Sequence, residues 1–382
     1  MRRTYVRDST VHAGRNGRRA VALWAVLFAA YGLTLALGVA DAGTLRGPEP
    51  HHLEVAAAAA RGESLGRPVR GIGFPLIVAP AWAVGGTTAV QLFLAAVAAL
   101  GFVAGAALGR VVVPEPWATR GALLVGLSPP ALAHAVGVYP EMTAGTLLAG
   151  AALCAARVRE RPQVHTALSG AGLLAVLPWL APQFVLPGVP VAVALVRWTA
   201  RRGRRVVALG AAEVALASLV FYLSLNDRLY GGLTPWSGSG GVEGAIGTNL
   251  PFGPLERVPR FATVLVGPDA GIVRWAPILV LAGAAAWLLV RSRRARLGRL
   301  VSERREAEHV AALCLAVLAV QLAVAALAAP SITGPWFPGR ELAPTLAVAV
   351  PLVAWGLRHM PRAGAVLGAL TAAASVWVLT GL

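Results

Sequence analysis

The sequence predicts an all-α protein that crosses a membrane about eleven times, and three observations support this class. Only 13% of the 382 residues are charged, whereas soluble proteins carry roughly 25%, and the mean hydropathy is +0.67. Apolar stretches of about 15–22 residues recur along the chain, a length that suits helices in a bilayer. All 34 lysine-or-arginine positions hold arginine, and these arginines cluster between the apolar stretches.

The chain divides into a polar tail and one membrane domain. Residues 1–19 carry six arginines and predict a disordered cytoplasmic tail, followed by a single polytopic domain over 20–382. The first span is longer than the apolar core of a signal peptide, which predicts an uncleaved anchor. After it, a loop over 41–86 contains two predicted interfacial helices, at 53–60 and 72–84. The predicted spans cover 20–40, 87–108, 117–136, 142–156, 166–180, 184–196, 206–225, 272–290, 310–328, 342–357 and 363–382.

Two prolines complicate the middle of the chain. Pro178 and Pro182 flank the junction between the spans at 166–180 and 184–196. Proline removes a backbone donor, so this pair is compatible with a broken or re-entrant hairpin buried within the protein.

The distribution of charge predicts the orientation. With the N-terminus inside, most arginines fall on the inner side, as the positive-inside rule requires for a protein of the cytoplasmic membrane. The net charge of +17 therefore marks topology and does not indicate a nucleic-acid partner, which would need one basic soluble face. Cys154 and Cys314 lie inside apolar stretches, so neither a disulfide nor a cysteine metal site is expected.

The acidic residues gather on the predicted outer side, beginning with the stretch Glu49-Pro50-His51-His52. Pro48 and Pro50 are expected to hold this loop extended, with a short helix starting at Leu53. An acid held just before a surface helix suits acid–base chemistry, and the alternative is a solvated loop that caps the helix. Adjacent histidines rarely converge on one ion, so no metal is expected here.

Four further outer stretches carry unusual residues. Tyr139 precedes Glu141, which begins a span and can simply complement the helix dipole. Trp179 is either a site residue or an interfacial aromatic. Tyr230 lies in the opening stretch of a predicted loop over 226–271, which either orders over a ligand or is a flexible linker. Near the end of the chain, Trp336 and Arg340 suit a lipid-linked phosphate. Alternatively, Arg340 pairs with its neighbour Glu341 or snorkels to the interface.

Six of these pieces, in this order, resemble a known superfamily. They are Glu-Pro-His-His-Leu, Gly-Ile-Gly-Phe-Pro-Leu-Ile-Val-Ala-Pro, Tyr-Pro-Glu-Met-Thr-Ala, Leu-Pro-Trp-Leu, Tyr-Gly-Gly-Leu-Thr-Pro and Trp-Phe-Pro-Gly-Arg. The chain thereby resembles uncharacterised bacterial GT-C glycosyltransferases, relatives of the dolichyl-phosphate-mannose:protein mannosyltransferases and the lipid A aminoarabinose transferases. The resemblance implies a GT-C-like fold, a polyprenyl-phosphate-sugar donor, an envelope glycan, lipid or protein as acceptor, and an active site on the outer face.

The resemblance also implies roles for individual residues. Glu49 would be the general base and Arg340 a phosphate ligand, with Arg70 and His51 as helpers. Glu141 would lie on the facing loop. The remaining substrate-binding candidates are His52, Tyr139, Trp179, Tyr230 and Trp336.

One departure from the family pattern falls in the stretch that holds the predicted base. Relatives carry Asp-Glu-Pro-His-Tyr where this chain has Pro48-Glu49-Pro50-His51-His52, so the leading aspartate is missing. Asp41 is the alternative base, and a catalytically decayed homologue is an alternative to an active enzyme.

A different class of function also fits the sequence. A non-enzymatic lipid-handling or transport protein would use the same groove, although a transporter should place ionisable groups at mid-membrane, where only Glu213 qualifies. No nucleotide-binding motif is present, so neither cytosolic ATP nor a sugar nucleotide is expected as a cofactor or donor.

Overall fold

The computed structural model describes residues 2–38, 45, 47–66, 71–235, 254–268, 271–292, 302–329 and 337–380. Every regular element within these ranges is helical, which confirms the all-α prediction. The α-helices are α1 (Arg2–Ala36), α2 (Glu49–Arg61), α3 (Gly73–Val112), α4 (Trp117–Gly126), α5 (Pro129–Val136), α6 (Glu141–Glu160), α7 (Val164–Leu180), α8 (Val185–Arg201), α9 (Arg205–Tyr230), α10 (Arg260–Val266), α11 (Ile272–Trp275), α12 (Val280–Ser292), α13 (Ser302–Ala323), α14 (Leu346–His359) and α15 (Pro361–Thr380).

Seven helices in the described part of the chain are long and apolar enough to cross a bilayer. The chain is therefore an all-α membrane protein, but the predicted count of eleven spans is not reached. Two further apolar helices are shorter, Val164–Leu180 and Pro277–Leu288. Helix α1 includes residues 2–19, for which the sequence predicts a disordered tail. The seven candidate spans are Asn16–Ala36, Gly73–Val112, Pro182–Arg201, Arg205–Tyr230, Ala307–Ala328, Arg340–His359 and Pro361–Thr380.

The predicted span at 117–136 is instead two short helices, α4 with 10 residues and α5 with 8. Pro129 and Pro130 occupy the first turn of α5, where the missing backbone N–H groups break no helical hydrogen bond. The Ser128 hydroxyl donates to the Val125 carbonyl over 2.6 Å at the end of α4. The double proline therefore ends one helix and starts the next, a break that hydropathy does not reveal.

Helix α3 joins two elements that the sequence separates, the interfacial helix at 72–84 and the span at 87–108. Its 40 residues are kinked at Gly85 and Gly86. Gly86 has a φ of 60° and a ψ of −146°, a conformation that costs other residues on the order of 1–3 kcal/mol. The predicted boundary is thus present as a glycine kink rather than as a loop.

The proline-flanked junction is a compact turn between two helices. Helix α7 continues through Pro178 to Leu180, and a 3-10 turn (Pro182–Phe184) leads directly into α8.

Burial separates the central helices from the peripheral ones. In the span that ends with α14, 83% of the residues in its most apolar 18-residue stretch are buried. The corresponding share is 22% for α1 and α15 and 17% for α9. Helix α9 leaves Leu209, Leu216, Val220 and Phe221 largely exposed. An apolar surface of this extent fits lipid rather than water around the periphery.

Helix α6 relates the two ends of the bundle. Its 20 residues run from Glu141 to Glu160, about 30 Å at 1.5 Å per residue. At its far end, the Arg159 guanidinium lies 5.4 Å from the ring centroid of Trp198 in α8, three residues before Arg201. Glu141 and Arg201 therefore lie at opposite ends of the molecule, while the side that faces the cytoplasm stays a prediction.

Candidate functional site

The predicted base, Glu49, is the first residue of α2 and is buried, with 1% of its surface exposed. Pro48 adopts a helical ψ of −4° and Pro50 lies in the first turn, so the predicted extended loop before Leu53 is wrong. Prolines are favourable in a first turn because its N–H groups have no intrahelical partners. A carboxylate at this position also complements the positive end of the helix dipole.

A hydrogen bond fixes Glu49 against the turn that precedes α6. The backbone N–H of Val138 donates to Glu49 Oε1 over 2.6 Å. Gly137 borders the same oxygen: a Cβ added to this glycine would lie 3.6 Å from it. Residues separated by 89 positions in sequence thus meet at one end of the bundle.

Tyr139 and Glu141 bring this turn into contact with Arg340. Both are buried, at 2% and 1% exposure. The Glu141 Oε1 atom lies 3.3 Å from Arg340 Nε, and the Arg340 Cζ atom lies 4.9 Å from the Tyr139 ring centroid. Glu141 is therefore more than a helix cap, since it forms an ion pair with a residue about 200 positions away in the chain.

Arg340 begins the 3-10 turn that leads into α14. Gly339 precedes it with a φ of 87°, and a Cβ there would approach the Ile272 side chain to 3.1 Å. The Arg340 Nη2 atom lies 3.4 Å from Glu341 Oε1. The Gln321 amide of α13 donates to the Glu341 carbonyl over 2.6 Å. The guanidinium is thus held between two carboxylates and an aromatic ring, with 18% of its side chain exposed.

His134 also lies near Arg340, and it is not among the site residues predicted from the sequence. It lies in α5, is 2% exposed, and its Nε2 atom is 3.3 Å from the Pro338 carbonyl. Because a carbonyl only accepts, Nε2 carries the proton in this contact and Nδ1 of the neutral ring is an acceptor. The ring also lies edge-on to Phe337, with centroids 6.2 Å apart. His134 therefore anchors the segment that presents Arg340, and its only trace in the sequence is an ionisable residue in an apolar stretch.

The two histidines that follow Glu49, His51 and His52, lie in different environments. His51 Nδ1 lies 3.4 Å from Glu54 Oε2 with 40% of its side chain exposed. His52 is fully buried, and its ring contacts Phe74 edge-on with centroids 5.2 Å apart. Within the described ranges, no three His, Cys, Asp or Glu side chains are close enough to hold a metal ion.

Trp179 packs between helices. Its indole N–H donates to the Ser218 hydroxyl over 2.9 Å, and its ring contacts Phe221 and Tyr222. Trp179 thus joins α7 to α9, and its contacts in this structure are packing contacts between these helices.

The first loop also meets the end of α7. The backbone N–H of Gly71 donates to the Leu180 carbonyl over 3.2 Å.

The remaining predicted site residues are Tyr230, Asp41, Arg70 and Trp336. Tyr230 is the last residue of α9 and is half-buried. Asp41, Arg70 and Trp336 lie outside the described residues, so their roles stay predictions.

The structure also contains an apolar groove of about 540 Å³. Leu342 and Thr345, which follow Arg340 on the same 3-10 turn, form part of its wall. Helices α10 to α14 supply the rest, including Leu265, Ile272, Leu318 and Leu346.

In comparisons with known proteins, no protein-family model and no curated protein matched this sequence. We define the polar cluster as Glu49, His134, Tyr139, Glu141 and Arg340. Its carboxylates can accept protons, its guanidinium can bind an anion, and the adjoining groove can accept an apolar chain.

Proposed function

We propose that the chain is a GT-C-type glycosyltransferase that moves a sugar from a polyprenyl-phosphate donor to an acceptor at the outer face of a bacterial cytoplasmic membrane. The observation that carries the proposal is the polar cluster itself. It brings together Glu49, Glu141 and Arg340 from distant segments, and the 3-10 turn that Arg340 begins also lines an apolar groove. An amphiphile with a charged head and a long apolar chain matches both features.

In the proposed reaction, an acceptor hydroxyl attacks the anomeric carbon of the sugar. The bond between that carbon and the phosphate oxygen breaks, and its electron pair leaves with the polyprenyl phosphate. Glu49 takes the hydroxyl proton, a role worth roughly 10²–10⁴-fold in rate. Arg340 stabilises the negative charge on the departing phosphate.

Donor binding requires an exchange of partners at Arg340. Two carboxylates, Glu141 and Glu341, already contact the Arg340 guanidinium. A phosphate must therefore displace a carboxylate from Arg340. Glu341 is the more accessible of its two partners, with 14% of its side chain exposed against 1% for Glu141. We assign Glu341 as the group that the donor replaces.

The groove would hold the first isoprene units of the donor. Its lining is almost entirely aliphatic, from Val266 and Ile272 to Leu318 and Leu346. Burial of apolar surface contributes about 25 cal/mol per Å², so this contact would supply much of the donor affinity. Arg340 would then select lipids with a phosphate head.

A non-enzymatic lipid-handling protein is the second candidate, and one observation favours it. Glu49 Oε1 is already held by the Val138 N–H, and the side chain is almost fully buried. For an acceptor hydroxyl to reach it, the turn at 137–140 must shift. Together with Pro48 in place of the aspartate of relatives, this arrangement also fits a decayed catalyst.

The test uses purified full-length protein, undecaprenyl phosphate as the binding probe, and an isotope-labelled undecaprenyl-phosphate sugar for transfer into membranes. Glu49→Gln keeps the shape of the side chain and removes the base, so it should retain lipid binding and lose transfer by 10²-fold or more. Glu54→Gln, on the same helix with 74% of its side chain exposed, is the matched control. Asp41→Asn tests the alternative base.

Arg340→Ala should weaken binding of undecaprenyl phosphate, and Arg340→Lys should restore only part of it because the fork geometry is lost. Transfer that survives in Glu49→Gln would exclude this base. Lipid binding without transfer in the unaltered protein would favour the lipid-handling function. Unchanged binding in Arg340→Ala would overturn the donor site.

A further inference from the structure

A second groove lies between α4 and the α14–α15 pair, separate from the polar cluster. It encloses about 600 Å³ and is lined by Trp117 and Arg120 at one end. Small residues of α15 line one side, and a Cβ added to Gly368 would lie 3.5 Å from the Leu124 side chain. Apart from Arg120, all of its lining residues are apolar or aromatic.

The dimensions of this groove match one leaflet of a bilayer. Its lining on α15 runs from Pro361 to Ala372, about 16 Å at 1.5 Å per residue. Half of a hydrocarbon core of about 30 Å is about 15 Å. An acyl chain that starts at the Arg120 end would therefore reach the bilayer midplane where the groove ends.

The charged end of the groove is basic. Arg120 is exposed, and its guanidinium lies 5.2 Å from the Trp117 ring centroid. Arg358 and Arg362 are also exposed, each next to a lining residue of the groove. Among the described residues, no carboxylate forms an ion pair with any of these three arginines. These arginines can therefore bind an anion that is not part of the protein.

We infer that this groove binds one anionic phospholipid from the leaflet at the Arg120 end, with its phosphate on Arg120 and one acyl chain along α15. A second copy of the chain fits less well. Two copies in one membrane share the same orientation, so a symmetric contact here would place two sets of arginines at the same depth. Like charges at that distance repel, whereas a phosphate headgroup neutralises them.

The test is native mass spectrometry of the full-length protein with two probes, dioleoyl phosphatidylglycerol and dioleoyl phosphatidylcholine. The unaltered protein should retain phosphatidylglycerol in preference to phosphatidylcholine. Arg120→Gln should weaken phosphatidylglycerol binding about five-fold, since one arginine near a membrane surface contributes about 1 kcal/mol. Phosphatidylcholine binding should fall less, because its choline offsets the charge of its phosphate. Arg204→Gln, at the exposed turn before α9, is the charge control.

A second variant tests the groove rather than the charge. Ala369 is exposed and lines the groove, so Ala369→Leu should reduce retention of both lipids without unfolding the protein. Ala363→Leu adds the same bulk on the opposite, exposed face of α15 and should have no effect. Equal retention of the two lipids by the unaltered protein would overturn the inference. So would a dimer that Ala369→Leu dissociates while phosphatidylglycerol binding is unchanged, because the groove would then hold a second copy.

Discussion

Single buried charges decide the character of the polar cluster. Glu141 and Glu341 both contact Arg340, but their side chains are 1% and 14% exposed. A charged side chain that is removed from water relies on its ion-pair partner for stabilisation. A charged side chain that is more exposed is also stabilised by solvent, so losing its partner costs less. The two carboxylates should therefore respond differently to the same substitution.

Glu141→Gln should destabilise the folded protein by about 2–3 kcal/mol, because it leaves Arg340 with one carboxylate in a buried setting. Glu341→Gln should cost less than about 1 kcal/mol. Denaturant unfolding of the purified variants in micelles measures both. Equal losses would show that burial does not separate the two pairs.

A third carboxylate, Glu115, lies outside the membrane spans and links stability to pH. Glu115 accepts from Arg110 Nε over 2.7 Å and from the Thr119 hydroxyl over 2.8 Å. Burial acts to raise the pKa of Glu115, but these hydrogen bonds outweigh it and leave the pKa below its usual range. Since the folded-state pKa is the lower one, the ionised group adds stability above the unfolded pKa of about 4.3. That stability is lost as the pH falls through the folded-state pKa.

Glu115→Gln should therefore unfold more easily than the unaltered protein at pH 7, by about 1 kcal/mol, and the difference should shrink as the pH falls below 4. Thermal unfolding at several pH values measures this difference. Glu63→Gln is the control, because its pair with Arg61 is about half exposed and should contribute little. A difference that grows on acidification would contradict the assigned direction.

Sequence reasoning identified several members of the cluster but not the contacts between them. Glu49, Glu141 and Arg340 stood out because each is a charged residue beside an apolar stretch. The Val138 hydrogen bond to Glu49 and the place of His134 beside Pro338 depend on chain segments 89 and 204 positions apart. No local pattern specifies such distances, because tertiary packing alone brings those segments together.

At the scale of helices, the length of an apolar stretch predicted well that a helix is present, but it did not predict where that helix breaks or kinks. The segments at 206–225 and 363–382 agree closely with α9 and α15. Proline and glycine produced the differences: Pro129 and Pro130 divided one predicted span, and Gly85 and Gly86 kinked another helix without ending it. A hydropathy average is insensitive to single residues, so it misses both events.

The turn that presents Arg340 depends on a single glycine. Gly339→Ala must place a side chain at a φ of 87° and within 3.1 Å of Ile272. The conformation alone costs roughly 1–2 kcal/mol, and the contact adds to it. We expect a lower unfolding midpoint together with weaker binding of undecaprenyl phosphate.

Gly172→Ala in α7 is the matched control. A Cβ there meets no atom within 4 Å, so alanine should leave stability unchanged or raise it by up to about 1 kcal/mol. A Gly339→Ala variant as stable as Gly172→Ala would contradict the left-handed conformation assigned to Gly339.

At the scale of the whole molecule, polarity differs between the two ends. The polar cluster lies at the end where α6 begins, and Arg159, Arg201 and Arg204 lie at the other. Helix α6 separates them by about 30 Å, which equals the hydrocarbon thickness of a bilayer. The two ends should therefore face different compartments, and arginine should mark the cytoplasmic one.

Cysteine labelling tests both statements. In a background with Cys154→Ala and Cys314→Ala, single cysteines replace two exposed residues, Glu63 after α2 and Arg202 after α8. A membrane-impermeant maleimide should modify position 63 in intact cells and position 202 only after permeabilisation. Labelling of 202 alone in intact cells would reverse the orientation yet keep the ends apart. Labelling of both would contradict the fold, because a helix that begins at Glu141 and ends beside Trp198 cannot leave both ends on one side of the membrane.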